Sequence, residues 1–176
     1  MKGAEASPWR VLAASTALNA PIGSLYAFSV FLQPLEALLG LTRADLALVF
    51  AVAAGAFGVG MMVAPGLYGI ARTPLLVTAC ALANALGLTL AATAGGLAQL
   101  VIGYGLLFGV GGGAAYILVQ QMVNLVVTRR QGLVNGYIVS LLPAGAMVAA
   151  PLFGWGIRAF GVRATLGGFA AVLAMP

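Results

Sequence analysis

Charge is so sparse in this chain that the intervals between charged residues act as a ruler. Twenty-five uncharged residues separate Arg10 from Glu36, 26 separate Asp45 from Arg72, and 27 separate Arg130 from Arg158. A charge at the centre of a membrane helix costs about 2.5–3.5 kcal/mol, so charged side chains collect at the ends of spans. Each interval suits one tilted helix, which needs about 20 residues to cross the hydrocarbon. Arg72 to Arg129 encloses 56 uncharged residues, room for two spans joined by a turn at Gly95-Gly96. Thirteen apolar residues follow Arg163, so the sixth segment is expected to stop short of a full crossing.

The predicted spans are 10–33, 45–70, 74–94, 97–126, 132–157 and a partial one at 164–176, in a single membrane domain. Only 6% of the residues are charged, against about 25% in soluble domains. In hydrocarbon every backbone N–H and C=O must be satisfied internally, and no period-two alternation points to a barrel. The expected fold is therefore all-α, a polytopic helix bundle. Lys2, Arg10, Arg72, Arg129 and Arg130 would lie on one side, Arg43, Arg158 and Arg163 on the other. Five against three places the N-terminus in the cytoplasm, and a bacterial inner membrane is the expected location. The net charge of +5 is scattered over span ends rather than gathered in a stripe, which argues against nucleic acid as a partner and for the lipid bilayer. The apolar stretch from Val11 to Leu32 exceeds a signal-peptide core, so cleavage is not expected. A lone Cys80 excludes an internal disulfide.

The landmarks also recur. At an offset of 86, Thr42-Arg43 reappears as Thr128-Arg129, Met61 as Met147, Ala64-Pro65 as Ala150-Pro151 and Arg72 as Arg158. Three spans separate the copies, and three crossings reverse direction, so the units would form an inverted repeat, a sign of secondary transporters. Tyr26 matches Tyr116 at an offset of 90, which puts about four extra residues into the first connection, around Leu35 to Leu41. Gly105, Gly109 and Gly113 on span four, and Gly55, Gly58 and Gly60 on span two, suit close helix contact, either for packing alone or for contacts that slide.

Chemistry has few carriers here. There is no His, and the acids are Glu5, Glu36 and Asp45 alone, so no catalytic or metal-binding residues, no cofactor and no enzymatic activity are expected. Gly109-Val-Gly-Gly-Gly-Ala114 matches a dinucleotide-binding pattern in letters only, since it lies inside an uncharged span without a preceding strand. What remains is neutral polarity. Asn19, Tyr26 and Gln33 recur every seven residues on span one, and Tyr116, Gln120 and Asn124 every four on span four, each set on one helix face. Tyr26, Tyr116 and Gln120 are the candidate substrate-binding residues, with Asn19, Gln33, Asn124 and Tyr137 as possible cavity lining. A purely structural role, with amides reaching the interfaces and phenols bonding neighbouring helices, is the alternative. Such a ring suits a small polar or anionic solute, whose counter-cation must come from elsewhere.

Gly23-Ser-Leu-Tyr26-Ala-Phe-Ser-Val-Phe31-x-x-Pro34 with Leu41-Thr-Arg-Ala-Asp45, and Gly109-x-Gly111-x-Gly113-x-x-Tyr116 followed by Thr128-Arg129-Arg130-Gln131-Gly132-Leu133-Val134-Asn135-Gly136, resemble the major facilitator superfamily. The nearest likeness is its oxalate/formate antiporter and monocarboxylate transporter branch. The resemblance covers nearly the whole chain as an N-terminal half. It implies a twelve-helix fold of two six-helix halves with alternating access, in which this chain supplies an inverted three-plus-three repeat and a C-terminal six-helix half supplies the cation. It places Tyr26 and Tyr116 at the central site and Gly66, Arg72, Arg129 and Arg130 in gating loops. Ile70 stands where the family carries an acid, and Gln131 where it carries Arg. The expected function is secondary active transport of small organic anions such as mono- or dicarboxylates. A non-transporting membrane interaction module, or a degenerate transporter remnant, is the rival.

Overall fold

A computed structural model describes residues 8–128 and 130–174. Five helices are long and apolar enough to cross a membrane: α1, Trp9–Leu39; α2, Arg43–Leu67; α3, Thr73–Ala92; α4, Leu97–Val126; and α5, Gln131–Phe160. A shorter apolar helix, α6, spans Val162–Leu173. The connections are a few residues each, so successive helices run antiparallel. No strand occurs among the described residues.

Local chemistry explains the ends. At the start of α2, Thr42 accepts from the Asp45 N–H at 3.2 Å, and the Asp45 carboxylate accepts from the Thr42 N–H at 2.9 Å, a reciprocal capping box. Gly40, at φ 66°, turns the chain out of α1. Arg43 then pairs with Glu36 at 2.9 Å across the same connection. At the α3–α4 turn, the Gln99 side chain accepts from the Gly95 N–H and donates to the Leu90 carbonyl, satisfying backbone groups the turn leaves free.

The boundaries differ from the charge ruler in instructive places. Leu35–Leu39 are not extra loop residues; they form the last turns of α1, held by the fully buried Leu35, and only Gly40, Leu41 and Thr42 lie between helices. Gly66 belongs to the last turn of α2, not to a loop, and α2 ends at Leu67 rather than at 70. The helix α5 continues to Phe160, where Gly161 at φ 83° ends it.

α4 is the centre of the bundle: 67% of its apolar window is buried, against 33% for α2, α3 and α5. It packs on α1, α2 and α3, while α5 packs on α1 and α6 packs on α3 and α5. Two of these crossings are built alike. A Cβ on Gly113 would collide with the backbone of Phe57, and one on Gly60 with that of Val110, so α2 and α4 meet backbone to backbone. On α1 and α5, Gly23 meets Leu142 and Gly145 meets Ala20 in the same way. Gly23 and Ala20 lie 90 positions before Gly113 and Val110, and Phe57 and Gly60 lie 85 before Leu142 and Gly145. The crossings thus correspond at offsets of 90 for α1 with α4 and 85 for α2 with α5, four positions and one position away from the 86 that aligns the Ala-Pro pairs.

Candidate functional site

The α1–α4 contact brings the two predicted tyrosine positions into one region. Ile22 touches the position where Gly112 lacks a side chain, at 3.4 Å, and these two residues are themselves 90 positions apart. One turn further along each helix stand Tyr26 and Tyr116. Their surroundings differ. Tyr26 is 50% exposed, on a stretch of α1, Gly23–Phe31, wound tighter than an α-helix after Pro21. Tyr116 is buried, its ring 6.1 Å from that of Phe57. Gln120 follows on the same face of α4 and is half-buried.

The other predicted positions disperse. Asn19 is fully buried inside the bundle, and neither of its amide atoms has a protein partner among the described residues. Gln33 is exposed near the far end of α1. Asn124 sits near the end of α4, its backbone carbonyl accepting from the Gln131 side chain at 3.5 Å. Tyr137 belongs to a different place: its hydroxyl pairs with that of Thr16 at 2.7 Å, on a cleft between α1 and α5 that takes in none of Tyr26, Tyr116 and Gln120.

Of the loop residues, Arg72 is exposed and caps α3, its carbonyl accepting from Leu76 at 3.2 Å. Arg130 caps α5 in the left-handed region, at φ 58°. Arg129 lies outside the described residues. Ile70, in the turn after α2, is 77% exposed.

Besides Ser15 and Ser24, two larger interior polar residues were not singled out from the sequence. Tyr104 is buried and donates to the Leu25 carbonyl of α1 at 3.2 Å, with its ring 4.6 Å from Phe28 and 5.1 Å from Phe108. Asn84 on α3 is buried with its side-chain oxygen against Gly111 of α4. The signal for both was present: each is an isolated polar side chain in the middle of an apolar span, where its partner must be another helix.

What this region can do follows from its groups. Phenol and amide side chains donate and accept hydrogen bonds without carrying charge, so they can orient a polar solute but cannot neutralise an anion. Neither a comparison with protein-family models nor one with curated proteins gives a match.

Proposed function

We propose that this chain is the N-terminal part of a secondary transporter for small organic anions, working by alternating access about a site that includes Tyr26, Tyr116 and Gln120. The observation that carries the reading is the pair of like crossings. Gly113 on Phe57 and Gly23 on Leu142 repeat one backbone contact between different helices, which is how an inverted repeat builds two halves of one unit about a shared axis. The region where α1 meets α4 would lie on that axis, and it presents Tyr26 and Tyr116 at equivalent positions. A partner six-helix half would face it and supply the cation that a carboxylate requires. The chain would sit in a bacterial inner membrane with its N-terminus in the cytoplasm.

The test is counterflow in proteoliposomes with the complete transporter, offering labelled mono- and dicarboxylates beside sugars and organic cations. Exchange of carboxylates alone is the expected result, and Tyr116→Ala should weaken it. Exchange of sugars or cations without carboxylates would refute the substrate class. A second reading, a membrane interaction module that transports nothing, is favoured by Gly55, Gly58, Gly132 and Gly136, which face open space instead of a neighbouring helix. Counterflow of no solute, together with stable assembly through those faces, would support it.

A further inference from the structure

We propose that the cleft between the N-terminal turns of α1 and α5 binds an anionic phospholipid, phosphate at its mouth and acyl chain within. Trp9, Leu12 and Ala13 form one wall, Leu133, Val134 and Tyr137 the other, around about 410 Å³. The hydroxyl pair of Thr16 and Tyr137, 2.7 Å apart, ties the two helices at its inner end. Thr16 also borders a second concavity of about 690 Å³ along α1, α5 and α6, lined by apolar side chains including Val148, Leu152 and Phe169. An acyl chain entering the cleft can continue into it.

The mouth supplies the charge. Arg10 follows Trp9 directly and is exposed. Arg130 is exposed too, and its carbonyl accepts from the N–H groups of Leu133 and Val134 at 3.0 and 3.2 Å, so it stands at the base of the wall those residues form. Arg72 lies on the same side of the bundle, whereas Glu36 and Asp45, the acids among the described residues, lie on the opposite side. Exposed Trp9 and Tyr137 are the aromatic types that settle at headgroup depth. Two exposed arginines at the starts of the walls, Arg10 beside Trp9 and Arg130 below Leu133 and Val134, complement a lipid phosphate that carries net negative charge, while a zwitterionic headgroup gains little from them. The assignment is independent of what the protein transports.

The test titrates the purified complete protein in mild detergent with phosphatidylglycerol or phosphatidylcholine and counts retained lipids by native mass spectrometry. Wild type should retain phosphatidylglycerol with a preference of roughly tenfold or more. Arg10→Gln with Arg130→Gln should abolish the preference, and Ala13→Phe, which fills the cleft and keeps the charges, should expel the lipid; far-ultraviolet circular dichroism confirms that both variants keep their helices. Equal retention of the two lipids by wild type would overturn the proposal. So would undiminished preference in either variant, or a dimer whose partner helix covers the cleft and excludes lipid.

Discussion

Gly111, Gly112 and Gly113 are consecutive, yet each serves a different neighbour. Gly111 makes room for Asn84 of α3, Gly112 for Ile22 of α1 and the ring of Phe57, and Gly113 for the backbone of α2. The triplet that imitates a nucleotide-binding loop is a junction of four helices. A methyl at Gly113 or Gly145 would have to push two backbones apart, so Gly113→Ala and Gly145→Ala are expected to destabilise by about 1–3 kcal/mol or more. Gly58→Ala, facing open space, should be neutral or gain up to about 1 kcal/mol from helix propensity. Thermal unfolding in detergent compares all three. Asn19 calls for the opposite expectation: its buried amide has no protein partner among the described residues, and an unmade hydrogen bond costs about 1–3 kcal/mol. Asn19→Leu should therefore raise the midpoint in the same assay, and a fall would mean that the amide is satisfied in the membrane.

Among the elements, the ends of α2 and α5 show what a sequence repeat conveys and what it does not. Thr42-Arg43 and Thr128-Arg129 match in letters. The first pair begins a helix because Asp45 completes a capping box with Thr42. The second has Gln131 in the corresponding place, and α5 starts only at that residue, capped by Arg130. Thr42→Ala is expected to cost about 1 kcal/mol in an unfolding titration, whereas Thr128→Ala should be silent; equal costs would contradict the assignment of the caps. Five membrane-length helices were legible from the charge intervals because a charge cannot be left at bilayer depth. Their ends were less legible, since Leu35–Leu39 extend α1 for the sake of packing Leu35, which no charge marks. At the candidate site, the 90-residue spacing of Tyr26 and Tyr116 was readable. Their unequal burial was not, because it depends on which helix lies alongside: Phe57 covers Tyr116. Tyr104 and Asn84 were legible only as isolated polar residues in apolar spans, because the groups they meet lie on α1 and α4 rather than on their own helices.

The whole molecule is organised around α4, with the α2–α4 and α5–α1 crossings as its two like joints. In the proposed transporter these joints keep each helix pair rigid, while the region around Tyr26 and Tyr116 opens to one side of the membrane and then the other. Gln33 on α1 and Gln121 on α4 are exposed positions toward opposite ends of that region. The most direct measurement places single cysteines there, Gln33→Cys or Gln121→Cys with Cys80→Ala, in the complete transporter reconstituted in sided vesicles. Labelling by a membrane-impermeant maleimide is followed with and without saturating carboxylate. Alternating access predicts that carboxylate changes the two labelling rates in opposite directions, one rising as the other falls. Rates that stay unchanged, or that shift together, would contradict the account.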